Sequence, residues 1–580
     1  MLLEKLKEYS ERIDPTPVMY QQTAIRWMVH IDIDGTYKGC AQTTSEAQGK
    51  KKDRGKMYIA PSLIRTSGIK AKLLVDNEDY IWGLNKEGMP EGKALERHEA
   101  FKSLIIKCAE ETGNKSVMAV KKYYESYRPG VESLPNGFNS GDIITFSVEG
   151  VLPFDEPDVR EFWARHATDT GNGEDKASGQ CLICGRYGPV VGYLPVKTKK
   201  IPGGQTSGTS LVSHNASAFE SYGLESSFNS PICHECGEAF GKALNNLIEK
   251  PETHITIGQL VYVFWTKAKT EFDITTLFMD PKPEYVKKLL AKPLTGERAF
   301  EQDEGLFYCA AFSASGGRAV VRDWIVTTLG DVQRNLARYF RTQALISWDG
   351  SEGVPLSIKT ISKSLAIGKE EAFPNVPKAI LRFAFNGGEL PLSLLFQAVK
   401  RERAEAGVDK KDRKKYWDFV YRNRARMALI KMVLSSRIEY LNREESMEKI
   451  DLSNESPAYL CGRLFALIEA VQKAAMPGVN TTVTDRFYGT ASTAPASVFG
   501  WLLNKGCQNH LAKLRKDKPG ACFSLDEDLK EIASRLKTFP RTLNLEEQGL
   551  FALGFYHQKA HRSAVAAERK AKITEELAAE

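Results

Sequence analysis

At 580 residues the chain exceeds what one hydrophobic core organises, and about 150 residues per domain predicts three or four units. Its 80 Lys and Arg against 73 Asp and Glu leave +7, which excludes an acidic solvating protein and is too mild for a histone-like coat. The 42% hydrophobic content excludes disorder as the dominant state, and ten cysteines are too sparse for a secreted disulfide framework.

No apolar run approaches the ~18 to 20 residues that span a bilayer, so no membrane partner is expected. The opening MLLEKLKEYSERI mixes acids and bases on an amphipathic pattern and reads as a helix rather than a signal peptide, with a cytoplasmic setting expected. Alternation of Val29, Ile31 and Ile33 predicts a strand over 27–34, and Asp34-Gly35 is a hairpin turn signal. The close carboxylates Asp32 and Asp34 fit a hairpin cap better than an acid/base pair. Between Lys50 and Lys72 eight Lys and Arg stand against one acid, Asp53. A solvated loop is the bland reading of such a run. The sharper reading makes Lys50, Lys51, Lys52, Arg54 and Lys56 contacts to a phosphate backbone. A strand is predicted over 57–61, another over 143–148, and residues 201–223 are rich in Gly and Ser. LVYVFWT at 260–266 and FYCAAF at 307–312 have the β-branched and aromatic content of buried strands. Pro, Ser and Gly over 353–378 suggest a boundary.

The last 200 residues read as helices. Leu460, Leu464, Leu467, Val471 and Ala474 follow helical spacing, as do Leu525, Leu529, Ile532 and Leu536, the second run opened by Ser524 and Glu527 as a capping box. A long helix over 416–441 carries Val420, Met427, Ile430, Leu434, Ile438 and Leu441 on one stripe, with Arg422 pointing away and Arg424, Arg426 and Lys431 on its flanks. These four cations read as a solvated face or as a track for a single strand. The predicted fold class is α+β: a mixed N-terminal α/β region over 1–375 with a zinc-binding insert near 178–240, then a C-terminal α-helical bundle over 376–580.

Cys181-Leu-Ile-Cys184-Gly and Cys233-His-Glu-Cys236-Gly are the sharpest local signal. Two residues between cysteines let both thiolates reach one tetrahedral Zn²⁺, and the glycine allows the tight turn. Two such knuckles close a structural site with no position left for water; two unrelated reduced pairs are the alternative. His234 lies inside the second knuckle and is not expected to ligate. P-loop, HExxH and GxSxG motifs are absent, and no His-Asp pair of hydrolase type is seen. The GGQTSG string at 203–208 offers amide and hydroxyl donors to an anion without a point charge.

Several strings in order resemble the large subunit of type I-C CRISPR surveillance complexes (Cascade): RTSGIKAK at 65–72 followed by LLVDN, GQTSGTSLVS at 204–213, VRDW at 321–324, YLCGRLFA at 459–466, DRFY at 485–488, APASVF at 494–499 and EEQGLFALG at 546–554. The resemblance implies a non-enzymatic subunit. Such subunits sit beside the guide RNA and other Cascade subunits, recognise the protospacer-adjacent motif (PAM) in double-stranded DNA, help open the duplex and support recruitment of a helicase-nuclease. It also implies that the C-terminal part is similar to the small subunit, with Met427, Met432 and Met447 as candidate internal starts. Thr66, Ser67, Lys70 and Lys72, with Gln205, Ser207 and Asn215, are the candidate PAM-reading groups. Lys72 stands where relatives tend to carry Asn, and Lys only donates where an amide also accepts. Arg422, Arg424, Arg426 and Lys431 are the candidates for displaced single-stranded DNA. A metal-dependent nuclease and a pure scaffold are the alternatives.

Overall fold

The alternation at Val29 and Ile31 is realised in the strand Trp27–Ile31, whose three odd-numbered side chains are buried. The computed structural model describes the chain apart from residues 14–15, 18, 45–52, 64, 66–67, 87, 91, 130–134, 172–176, 215, 268–273, 292–304, 367–373, 406–412, 438–446 and 580. Contacts divide it into two units. One comprises Met1–Lys200, Gly204–Asn246 and Ser315–Ala319, the other Ile201–Gly203, Leu247–Ala314 and Val320–Glu580.

In the first unit Trp27–Ile31 turns back antiparallel onto Tyr37–Gln42. Gly35 takes φ +91° in that turn, and a Cβ there would lie 2.7 Å from Lys122 Cβ, so glycine lets the turn sit against the helix Lys115–Ser126. Asp34 caps the turn by accepting from the Thr36 amide at 2.9 Å. On its other side Trp27–Ile31 runs parallel to Ile144–Val148, which is buried along its whole length, and Val75–Asp76 completes the sheet. The helices Lys93–Thr112 and Lys115–Ser126 supply Phe101, Ile105, Val117, Val120 and Tyr123 to the core. A separate antiparallel pair joins Tyr20–Ile25 to Lys56–Pro61.

The second unit opens with a four-stranded sheet ordered Arg318–Thr328, Leu306–Ser315, Leu260–Thr266, His254–Ile257. The LVYVFWT run is the third of these strands, buried at six of its seven positions. One hydrophobic cluster continues from Ile255 on this sheet to Tyr556 in the helices. Within 353–366, Ile358 and Ile361, on the short helix Ile358–Lys363, are buried in that cluster. Sheet and bundle share one core.

Helix Pro457–Ala475 is buried nearly all round and packs on Leu545–Ala579. Their backbones nearly touch, since a Cβ on Gly462 would lie 2.0 Å from the Phe551 carbonyl oxygen and one on Gly554 2.2 Å from that of Tyr459. The long helix spans Arg413–Ser435, and its predicted extension through Ile438 and Leu441 falls outside the described residues. Helix Pro519–Arg535 buries Leu525, Leu529 and Ile532 as their spacing predicts. It starts at Pro519 rather than at a Ser524 cap, because proline suits the first turn, where its missing N–H has no partner to lose. Among the described residues no helix is long and apolar enough to cross a membrane.

Candidate metal centre and nucleic-acid interface

The first CxxC forms the turn of a small hairpin, Ser178–Gln180 with Tyr187–Pro189. Cys181 closes it, its amide donating to the Arg186 carbonyl and its carbonyl accepting from the Gly185 amide, both at 2.9 Å, with Gly185 at φ +72°. The second CxxC enters helix His234–Glu249. Backbone bonds from Leu182 to Pro231 and from Val191 to Ile232, each 2.9 Å, tie the knuckles together. The four cysteine sulfurs lie within 4.8 Å of one another, and Cys184 Sγ is 3.9 Å from Cys233 Sγ. A tetrahedral ion with ~2.3 Å bonds needs sulfur edges of about 3.8 Å, so this donor set fits a metal ion such as zinc. All four cysteines are free thiols. Burial resists ionisation of Cys184, but hydrogen bonds from the Arg186 backbone and guanidinium and from Cys181 and Cys236 outweigh it and bring the thiol down to about 6. Burial raises the Cys236 thiol. His234 is outside the sulfur group, and burial lowers its pKa.

The Gly/Ser-rich segment is pinned at both sides. Thr198 and Thr209 exchange backbone bonds at 2.8 Å, the Gln205 amide donates to Gly316 at 3.1 Å and the Ser210 amide to Gly317 at 2.8 Å. Gln205 and Ser207 stand exposed on the turn so fixed. Arg318 covers the Phe219 ring at 4.0 Å. Lys70 and Lys72 are half-buried, and burial, with Arg65 a lesser contributor, lowers the Lys72 ammonium against the pull of Asp76. No hydrogen bond or ion pair among the described residues joins Lys70 or Lys72 to Gln205 or Ser207. Arg54 and Lys56 are exposed, Lys56 lying 5.8 Å from the Tyr58 ring centre. Thr66, Ser67, Asn215, Lys50, Lys51 and Lys52 lie outside the described residues.

The model of the family described as CRISPR-associated protein (Cas_Csd1) matches residues 3–563. The chain belongs to that family. No curated protein matches it.

Three of the four cations expected on a displaced strand need correction in this Csd1 family member. Arg426 is fully buried, donating to Glu402 at 2.8 Å, to Glu405 and to the Ser364 carbonyl. Arg424 is buried against the carbonyls of Leu345 and Val354, and the Lys431 ammonium donates to those of Arg341 and Ala344 at 3.2 and 2.7 Å. Their helix is enclosed on every side from Asn423 to Ser436, so positions flanking the stripe are interior too. Arg422 alone of the four is partly exposed.

The exposed cations of the bundle lie elsewhere. Lys505, Lys513, Arg515, Lys516 and Lys518 are all exposed, on and beside helix Gln508–Asp517. None has an ion-pair partner among the described residues, whereas nearby Lys530 and Arg535 are paired. Trp501, 54% exposed, precedes them on the same helical run. The basic run near Lys513–Lys518 is visible in the sequence. Exposure, and the lack of ion pairs among the described residues although Asp517 lies in the run, are what the structure adds.

Proposed function

We propose that this chain is the large subunit of a type I-C CRISPR surveillance complex (Cascade), a non-enzymatic subunit that reads the PAM in duplex DNA, promotes its opening and supports recruitment of a helicase-nuclease. The family match over nearly the whole chain carries the reading. Its partners are guide RNA, the other Cascade subunits, and the duplex and displaced strands of the target. The chemistry of the exposed groups supports it. The Gln205 amide both donates and accepts at a base edge, as sequence reading in a groove requires, and Arg54 and Lys56 offer charge to phosphates without base preference. Opening costs about 1.4 kcal/mol per stacked step and is returned by guide pairing, so the protein must supply only a foothold and a place for the displaced strand. Lys505, Lys513, Arg515 and Lys516 beside Trp501 suit that strand, combining phosphate neutralisation with an aromatic face.

Cys181, Cys184, Cys233 and Cys236 would hold one Zn²⁺, which shapes the insert and takes no part in chemistry. A nuclease would need carboxylates free to bind Mg²⁺. The buried trio Asp76, Glu78 and Asp79 is instead neutralised by Arg65, Lys86 and Arg97.

The test is the reconstituted complex with a library of PAM duplexes, without the helicase-nuclease and with Mg²⁺. PAM-dependent binding with intact DNA is expected, and alanine at Lys70, Gln205 and Ser207 should weaken the preference at least tenfold. Cleavage by the complex would establish the nuclease reading; an unchanged preference would leave a scaffold.

A further inference from the structure

We infer that Asp76 is the positioning residue of Lys70 and Lys72 in the proposed DNA-reading surface, an inference that rests on the PAM-reading function proposed above. Asp76 belongs to the two-residue strand Val75–Asp76, paired with Ile144–Val148 through Asp76 and Ile144, so its backbone is fixed by the sheet. Its carboxylate is fully buried, and its hydrogen bonds reach out to Arg65 and Lys72. Oδ2 accepts from the Arg65 guanidinium and from the Lys72 amide at 3.0 Å, while Oδ1 accepts from the neighbouring Asn77 amide at 3.0 Å. Arg65 in turn donates through Nε to the Lys70 carbonyl at 2.7 Å and lies 4.0 Å over the Tyr80 ring. The Arg65 guanidinium and the Lys72 amide therefore meet on one carboxylate oxygen, and the Lys70 carbonyl is held by the same guanidinium.

A buried ion pair is a poor choice if stability is all that is needed, since apolar residues of similar volume do as well or better. A carboxylate does what an apolar side chain cannot: it accepts from an amide and a guanidinium at once and so ties Arg65 to the Lys72 backbone. The ordering entropy of the Lys70 and Lys72 backbone is then lost on folding rather than on binding DNA. The backbone so held is that of Lys70 and Lys72, two of the groups proposed to read the PAM. An asparagine at 76 would keep the shape of the side chain but lose its charge, and would turn an N–H₂ either on Arg65 and Lys72 or on the Asn77 amide, all of them donors.

The experiment compares complexes carrying wild type, Asp76→Asn and the apolar pair Arg65→Met with Asp76→Leu. Melting temperature, affinity for a non-PAM duplex and the ratio of PAM to non-PAM affinity are measured for each. Asp76→Asn is expected to lower that ratio at least tenfold while the non-PAM affinity changes less than twofold. The apolar pair should regain the melting temperature lost by the single variant without regaining the ratio. Recovery of the ratio together with stability would make Asp76 merely structural and overturn the inference, as would a ratio that survives Asp76→Asn. A wild-type complex with no PAM preference would remove the functional reading and this inference together, an outcome distinct from either.

Discussion

Arg426 carries its charge with no exposed surface, and Glu402, Glu405 and the Ser364 carbonyl absorb it. Burial alone would push the Glu405 carboxyl up, but Arg426 and Arg401 bring it below its ordinary range, so the network stays ionised at neutral pH. Sequence spacing placed Arg424, Arg426 and Lys431 on a flank and could not tell an inner flank from an outer one. Glu402 and Glu405, three apart on the preceding helix Leu392–Glu405, are the complement that would have betrayed it. His557, whose Nδ1 lies 2.9 Å from the Tyr459 hydroxyl, sits in the same core. Burial, with Lys431 a lesser contributor, brings its pKa down to about 3, against ~6.5 in an unfolded chain. Between those values the unfolded chain binds a proton that the native one refuses. Stability owed to neutral His557 is thus complete above ~6.5 and falls as the pH drops towards 3. At about 1.4 kcal/mol per pH unit, moving from pH 7 to 5 should remove about 2 kcal/mol, and His557→Gln should flatten the dependence by that amount. Urea midpoints across the range measure it; equal slopes in the two proteins would refute it.

Among elements, those with a strong local pattern were readable. The strand at 260–266 has its predicted bounds, and the two CxxC knuckles converge although 48 residues separate Cys184 from Cys233. Ligand spacing announces a metal knuckle whatever the loop between does, because each pair is a local turn. The tie from Asp76 to Arg65 was not readable: it is set by a two-residue strand whose pairing partner lies some seventy residues away. The knuckle pair leads to a prediction at this scale. Its hairpin is short and joined to the second knuckle by a few backbone bonds, so the metal would supply much of its folding free energy. One zinc per chain is expected by metal analysis, and Cys236→Ser should abolish it. Chelation should open the insert around 178–240 to protease while fragments from the bundle stay intact, because that bundle has a hydrophobic cluster of its own. A chain without stoichiometric zinc, or an insert indifferent to the chelator, would refute the proposal.

For the whole molecule, +7 averages over surfaces that differ in kind. Four of the bundle's cations, Arg424, Arg426, Lys431 and Arg463, are internal and face no solvent. Exposed cations that can meet phosphates include Arg54 and Lys56 in one unit and the run Lys505, Lys513, Arg515, Lys516 and Lys518 in the other. Sequence alone counts both sorts alike, because burial is not written in composition. The two exposed groups should differ in what they neutralise, and salt can separate them. Each phosphate contact contributes about 0.9 to the slope of log affinity against log salt on duplex DNA and about 0.7 on a single strand. Changing Lys505, Lys513, Arg515 and Lys516 to Gln should therefore reduce the single-strand slope by up to about 3 and leave the duplex slope and the PAM preference alone. Changing Arg54 and Lys56 to Gln should reduce the duplex slope by up to about 2, with the single-strand slope unchanged. If either set lowers both slopes equally, the two surfaces act as one and the division of labour between the units fails. If the first set moves neither, the displaced strand runs elsewhere, and Arg422 is then the one cation of the original four still exposed enough to meet it.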